Sequence, residues 1–175
     1  LKVRDSVCIH IVHKSGYPLN TSCLEDARLV ANRFIGYQVA GKWGLIALNG
    51  KSLLPAEFED IYSLDRIVVL VKSGKRSLKT PEQIGLLADK IPFSESVVFD
   101  EVRQLEADIY LVKNGALEGT VNSKLEFLIP LDRQMLNRTP YGYVTKKNEK
   151  FKVIGMASGL AEEQFDEIRF YENWL

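Results

Sequence analysis

The sequence predicts an all-β protein assembled from tandem antiparallel β-hairpin (meander) repeats of about 33–34 residues, and three observations support this prediction. Two short motifs recur along the chain at similar intervals. Glycine or asparagine recurs at the points where tight hairpins need a positive φ. No stretch keeps apolar residues at helical spacing over three turns. We therefore expect one domain over residues 1–175, with about four to five units and incomplete end units.

The first motif reads apolar, acid, acid, apolar. Its copies are Leu24-Glu25-Asp26-Ala27, Phe58-Glu59-Asp60-Ile61, Phe99-Asp100-Glu101-Val102 and Phe165-Asp166-Glu167-Ile168. Asp60 follows Asp26 at an interval of 34, whereas Glu101 follows Asp60 at an interval of 41. Acids that lead from a turn into a strand commonly accept backbone hydrogen bonds or stay solvated. We expect that role here rather than a row of calcium ligands.

The second motif is an apolar strand that ends in a turn residue. The turn residues are Gly41, Gly74, Gly115 and Asn148, at intervals of 33, 41 and 33. We expect two-residue hairpin turns at Ala40-Gly41, Ser73-Gly74 and Asn114-Gly115. Both motifs place a surplus of about eight residues in the same interval, and we expect it to form a surface insertion near residues 75–83.

A second turn per unit is predicted at Asn49-Gly50, with Ser15-Gly16 one interval of 34 earlier. In this unit we predict strands over residues 35–39, 43–48 and 52–54, the last one ended by Pro55. Trp43, beside the first turn, is expected in the core. Residues 21–32 and 158–170 could hold at most a turn or two of helix.

The run Gly41-Lys42-Trp43-Gly44-Leu45-Ile46 and the segments that follow it resemble the WG-repeat family. The later segments are Asn49-Gly50-Lys51, Leu54-Pro55, Phe58-Glu59-Asp60-Ile61 and Val69-Leu70-Val71-Lys72. Elsewhere the copies are degenerate: Ile84, Leu117 and Phe151 take the tryptophan position. The third copy has Pro130-Leu131-Asp132-Arg133 in place of the aromatic-acid step.

This resemblance implies an all-β repeat array of a kind found largely in bacterial proteins, with binding as its usual role. It brings no catalytic, cofactor or binding residue to this chain. We expect the units to stack into a solenoid-like curl, with an open or closed β-propeller-like arrangement as the alternative. The function expected is a non-catalytic binding or scaffold module with a protein or surface glycan as its partner. An enzyme with an unrecognised site and a structural spacer are the alternatives.

Composition excludes some partners. Hydrophobic residues make up 46% of the chain, which is typical of globular proteins. The 23 basic residues equal the 23 acidic ones, so no bulk charge attracts nucleic acid. The apolar run 67–71 is far shorter than the roughly 20 residues that span a bilayer, so we expect no membrane insertion. Because the chain starts at Leu1, we expect it to be part of a longer one.

Few residues suggest chemistry. Asn49-Gly50-Lys51-Ser52 looks like the end of a phosphate-binding loop, but Leu45 stands where that loop needs glycine. His10 and His13 would point to opposite faces of a strand. Cys8 and His10 share a face, but a zinc site needs about four ligands. We therefore predict no metal site, no cofactor and no catalytic residues.

Three further groups are weighed as surface features or as contacts. The basic clusters are Lys75, Arg76 and Lys79, and Lys146, Lys147, Lys150 and Lys152. We expect both clusters to be solvated faces. The aromatic residues near the C-terminus are Tyr141, Tyr143, Phe170, Tyr171 and Trp174. They could stack on sugars or dock a partner.

Cys8 and Cys23 are predicted to be free thiols. A two-residue turn at Ser15-Gly16 would place them opposite each other in a hydrogen-bonded pair, where the Cβ atoms stand farther apart. The equivalent strand of the next unit is expected to end at Pro55, so Cys23 would lie past the end of the ladder.

Overall fold

The computed structural model describes residues 2–5, 8–20, 22–87, 97–139, 142–155, 164–167 and 169. These residues form antiparallel β-strands and one short helix. The elements are β1 Lys2–Arg4, β2 Ile9–Ile11, β3 Asp26–Val30, β4 Phe34–Val39, β5 Lys42–Ala47, β6 Ser52–Phe58, β7 Asp60–Leu64, β8 Ile67–Lys72, β9 Lys75–Lys79, α1 Pro81–Leu87, β10 Val98–Phe99, β11 Glu101–Glu106, β12 Ile109–Asn114, β13 Leu117–Asn122, β14 Phe127–Thr139, β15 Gly142–Lys147 and β16 Lys150–Gly155.

The strands form four antiparallel sheets in which chain neighbours are sheet neighbours. We name them the N-terminal ribbon (β1–β2), sheet A (β3–β6), sheet B (β7–β10) and sheet C (β11–β16). The prediction of an all-β fold is confirmed. No helix in the described part of the chain is long and apolar enough to cross a bilayer.

Hydrophobic side chains fill the space between successive sheets. Val30, Leu45 and Phe58 of sheet A pack with Val68 and Leu70 of sheet B. The opposite face of β8 carries Ile67, Val69 and Val71 into a second cluster, shared with Tyr110 and Val112 of sheet C. Because β8 is covered on both faces, it is an unbroken apolar run rather than an alternating one.

The predicted hairpin turns have the expected backbone, with one shift. Both residues of Ala40-Gly41 and of Ser73-Gly74 have positive φ, as a tight hairpin requires. The third turn consists of Gly115 and Ala116 rather than Asn114-Gly115, because Asn114 pairs with Leu117. Gly115 takes the positive φ, of 57°, at the first turn position.

Trp43 is in the core as predicted, with 7% of its surface exposed. It pairs with Phe58 across β5 and β6, and the Arg28 guanidinium lies 3.9 Å from the centre of its ring. The ring of Tyr37 occupies the space into which a side chain at Gly44 would point, so glycine is required after the tryptophan.

The tryptophan position of the other units was predicted incorrectly in two cases. Trp43 is the second residue after its hairpin turn and pairs with Gln38. The corresponding residues are Arg76, Glu118 and Phe151, which pair with the equivalent strand positions. Phe151 agrees with the prediction, whereas Ile84 and Leu117 do not. The incorrect assignment of Leu117 follows from the Gly115 turn, which lies one residue later in the chain than predicted.

The predicted surface insertion at 75–83 is wrong. Residues 75–79 form β9, which pairs with β8 and buries Ser77 and Leu78. Extra chain instead lies between β9 and β10 and begins with α1. Thr80 and Gln83 form reciprocal hydrogen bonds at the start of this helix, and Pro81 occupies its first turn. Ile84, fully buried, packs into the core between sheets A and B.

Two further predicted boundaries change. β6 continues through Pro55 to Phe58, and it tolerates proline because it is the outermost strand of sheet A. Residues 26–30 are strand, so the helix considered over 21–32 does not form in the described residues. Most of the helix candidate over 158–170 lies outside the described residues.

Cys8 and Cys23 form a disulfide with Cα atoms 5.0 Å apart, so the prediction of free thiols is wrong. The turn is wider than two residues, since Val12 bridges to Pro18. The chain leaves the ladder after Leu19, whose N–H donates to Ile11 O, and the Asn20 side chain accepts the Ile11 N–H. The chain rejoins the ladder where Leu24 pairs with Ile9, which places Cys23 beside Cys8.

The first acid of three motif copies caps a hairpin turn. The Glu25 carboxylate accepts a hydrogen bond from Gly41 N at 2.8 Å, and Asp100 accepts one from Gly115 N at 2.7 Å. Glu59 accepts two, from Ser73 N at 2.9 Å and Gly74 N at 3.0 Å. The prediction that these acids accept backbone hydrogen bonds is confirmed for these three residues.

Candidate binding cleft

A polar cleft of about 510 Å³ lies where turns from sheets A, B and C meet. Its walls are the β3–β4 turn (31–33), the β7–β8 turn (65–66), the start of α1 (80–82) and Ser123 of the β13–β14 turn. These turns project from the ends of the strands, so the packed sheets fix their positions while their side chains stay in solvent.

Arg33 and Glu82 join two walls of the cleft. The Arg33 Nη1 atom lies 2.8 Å from Glu82 Oε1. The backbone N–H of Glu82 and the Arg33 guanidinium hold the pKa of the Glu82 carboxyl below its ordinary value. Arg33 remains 61% exposed, so it keeps donors available for a ligand.

Arg66 supplies the second guanidinium. Its Nε atom is 4.0 Å from a carboxylate oxygen of Asp65 and 4.0 Å from one of Asp108, in the next turn along. The Arg66 side chain is 72% exposed. Arg66 is therefore held near acids without a close hydrogen bond to either of them.

The cleft combines donors and acceptors. Two guanidinium groups donate, two carboxylates accept, and Asn32, Thr80 and Ser123 can add an amide and two hydroxyls. No histidine, cysteine or aromatic ring is among its described lining residues. This set can hold a polar ligand of mixed charge.

The histidines singled out from sequence lie elsewhere. His10 contacts Asp5 in the N-terminal ribbon, and His13 contacts Ser15 in the following turn. The phosphate-loop look-alike is the turn between β5 and β6, where Gly50 N donates to Ala47 O. The strand-turn-strand context expected for it is confirmed.

The two basic clusters contact acids. Lys75 pairs with Asp100, and Arg76 donates to the carbonyl of Asp100. In the second cluster, Lys146, Lys147 and Lys150 contact Glu149, Asp132 and Asp166, respectively. Lys79 is half-buried, and this burial lowers its pKa. Neither cluster lies on an insertion.

Of the C-terminal aromatic residues, Tyr143 is buried in β15 and offers no exposed stacking face. Tyr141, Phe170, Tyr171 and Trp174 lie outside the described residues. Neither Arg33 nor Arg66 was predicted to be a site residue. Arg33 lies in the β3–β4 turn and Arg66 in the β7–β8 turn, 33 positions later in the sequence, so this spacing was the available signal.

No protein-family model matches the chain, and no curated protein matches it. Among solved structures, the chain is similar to "KlHsv2 with loop 6CD replaced by a Gly-Ser linker", with 12% sequence identity and a TM-score of 0.39. The match covers 91% of this chain and 62% of that chain. A likeness at this level says nothing about function.

Proposed function

We propose that this chain is a non-catalytic recognition module of the WG-repeat type, and that the polar cleft binds a polar segment of a protein partner. The observation behind this proposal is the convergence of turns from sheets A, B and C on one cleft. Exposed turns on a packed scaffold are the usual place for recognition residues.

The overall arrangement belongs to the same proposal. The sheets follow one another as tandem units and curve into a solenoid-like curl, with a propeller-like ring as the alternative. Support comes from sheet B, which packs one face against sheet A and the other against sheet C. Stacking of this kind keeps the turns of successive sheets next to each other along one rim.

The mixed charge of the cleft favours a protein segment over a uniformly anionic ligand. Arg33 and Arg66 face Asp65 and Glu82, so a highly charged anion would meet repulsion as well as attraction. A peptide can present both charges and backbone hydrogen-bonding groups. A glycan is the second candidate, and the lack of an aromatic ring among the described lining residues makes it the weaker one.

Site-specific photo-crosslinking tests this proposal. A photoreactive residue at Asn32, inside the cleft, is expected to capture a protein from cells that produce this chain. The same residue at Glu149, whose side chain is 89% exposed in the β15–β16 turn, serves as the control. The captured protein must then bind the purified chain, and the double variant R33E/R66E must weaken that binding at least about tenfold.

Two results would contradict the proposal. Equal capture at Asn32 and Glu149 would show that the cleft is not the contact site. Unchanged binding of the purified partner to R33E/R66E would show that the two guanidinium groups take no part. Binding to a glycan array that disappears in the same double variant would replace the protein partner with a glycan.

A further inference from the structure

Four side chains of the types that bind zinc meet in the N-terminal ribbon. The ligand atoms of Asp5, Cys8 and His10 all lie within 4.8 Å of one another. Cys23 is bonded to Cys8 and therefore adds a second sulfur to the group. Two sulfurs, one imidazole and one carboxylate make up a four-ligand set that suits Zn²⁺.

We propose that reduction of the Cys8–Cys23 disulfide turns this group into a Zn²⁺ site with Asp5, Cys8, His10 and Cys23 as its ligands. While the disulfide is intact, neither sulfur is a thiolate, so the strong sulfur ligands are withheld. The site lies on the ribbon rather than on the polar cleft. Its presence is therefore independent of the proposed recognition function.

The spacing of the non-sulfur ligands already fits a tetrahedron. Asp5 Oδ2 and His10 Nε2 are 3.2 Å apart. Two ligands at about 2.0 Å from a tetrahedral zinc ion lie about 3.3 Å from each other. The ion can therefore replace the contact between carboxylate and imidazole with little movement. The second Asp5 oxygen accepts the Cys8 N–H at 2.7 Å, which orients the carboxylate.

The sulfurs are held by paired backbone. Cys8 precedes Ile9 and Cys23 precedes Leu24, and these two neighbours exchange backbone hydrogen bonds of 3.0 and 3.4 Å. Both neighbours are buried. Two thiolates on one zinc ion lie about 3.8 Å apart, so after reduction the sulfurs need to separate only a short distance.

The chemistry balances with a dithiol as the reductant. The dithiol gives two electrons and two protons to the Cys8–Cys23 bond and becomes a disulfide itself, leaving two cysteine thiols. Zn²⁺ then binds as both thiols lose their protons to solvent and neutral His10 gives its ring lone pair. A small-molecule disulfide, acting as oxidant, would take up the two electrons and become two thiols, re-form the Cys8–Cys23 bond and release the ion.

Titration with Co²⁺, a spectroscopic substitute for Zn²⁺, tests the proposal on the whole chain. The protein is reduced with a dithiol, freed of reductant without oxygen, and titrated while cobalt-thiolate absorbance is followed. We expect one ion per chain in the reduced protein, displacement by Zn²⁺, and no binding in the oxidised protein. Absence of binding after reduction, or equal binding before it, would overturn the proposal.

Variants separate a four-ligand site from a simple cysteine pair. His10→Ala and Asp5→Asn should each weaken Co²⁺ binding at least about tenfold. Asn at position 5 keeps an oxygen for the Cys8 N–H, so the local fold is preserved. His13→Ala is the matched control, since His13 contacts Ser15, outside the cluster. If either His10→Ala or Asp5→Asn binds like the parent chain, the four-ligand assignment is wrong.

Discussion

Two kinds of junction connect successive sheet segments of this chain. At Glu25, Glu59 and Asp100 the strand stops at an acid, which caps the second hairpin turn that follows it; we call these the acid-capped junctions. Between Arg133 and Gln134 the chain does not stop. There, β14 pairs with β13 through its first half and with β15 through its second. We call this place the continuous junction.

One missing residue accounts for the difference. Arg133 pairs with Glu118 as Phe58 pairs with Trp43. Gln134 pairs with Lys146 as Asp60 pairs with Val71. Glu59 therefore separates Phe58 from Asp60, whereas their counterparts, Arg133 and Gln134, are adjacent in the chain. Without the intervening acid, one strand serves two sheet segments, and the β15–β16 turn has no acid from this position to cap it.

The largest expected difference in stability is between two aromatic residues at equivalent strand positions, Trp43 in β5 and Phe151 in β16. Trp43→Ala should lower the free energy of unfolding by about 3–5 kcal/mol, because it empties a core position and removes the ring beneath Arg28. Phe151→Ala should cost about half as much, because Phe151 is only half-buried. Urea unfolding measures both. Equal losses would contradict the contrast.

The second-largest difference in stability is expected between acids at the two kinds of junction. Glu59→Ala should lower the free energy of unfolding by about 1–2 kcal/mol, because two turn N–H groups lose a charged acceptor. Asp132→Ala, near the continuous junction, should cost about 1 kcal/mol or less, because its partner Lys147 is about half exposed, although the Arg133 side chain that it also contacts is only 13% exposed. Urea midpoints distinguish the two. A larger loss for Asp132→Ala would reverse the interpretation.

Restoring the missing residue should be nearly neutral. A glutamate inserted between Arg133 and Gln134 should leave a cooperative melt and change the free energy of unfolding by less than about 1 kcal/mol, because the pairing on both sides already follows the acid-capped pattern. As a control, the same insertion after Val69 in β8 should abolish folding, because it reverses the faces of a buried strand. Loss of folding in the first variant would refute the proposed correspondence.

The smallest effect concerns acid pH. The Lys75 ammonium and the Gly115 N–H lower the pKa of Asp100. A carboxyl whose pKa is lowered by folding stabilises the fold at pH values above its unfolded-state pKa of about 4. This contribution is lost as the pH falls through the pKa of the folded state. Asp100→Asn should therefore flatten the acid side of the stability profile. Urea unfolding at several pH values measures this slope, and an unchanged slope in Asp100→Asn would contradict the prediction.

Turns and strands could be predicted from the sequence because their causes are local. A glycine with positive φ or an alternating apolar pattern depends on a few neighbouring residues. The errors arose where distant chain segments decide. β9 was predicted to be part of an insertion because its polar residues give no strand pattern. Its pairing with β8, on the other side of the turn, is what makes it a strand. Ile84 was assigned to a strand position, although it is buried from a helix.

The candidate cleft could not be predicted from the sequence for a similar reason. Arg33, Arg66 and Glu82 come from three separate turns, and only the packing of sheets A, B and C brings them together. The sequence marked none of these residues as special, since each is ordinary for an exposed turn. Their proximity is a property of how the sheets stack.

The all-β class, the hairpin turns, the buried Trp43 and the acids that cap the turns could all be predicted from local sequence. Each of these follows from backbone preference or from hydrogen-bonding needs within one unit. Three features become visible only in the folded chain: the Cys8–Cys23 bond, the continuous junction in β14 and the position of the cleft. Each of the three depends on packing between distant segments. The Cys8–Cys23 bond, for example, depends on where the chain rejoins the ladder after a wide turn, and packing decides that point rather than the residues of the turn.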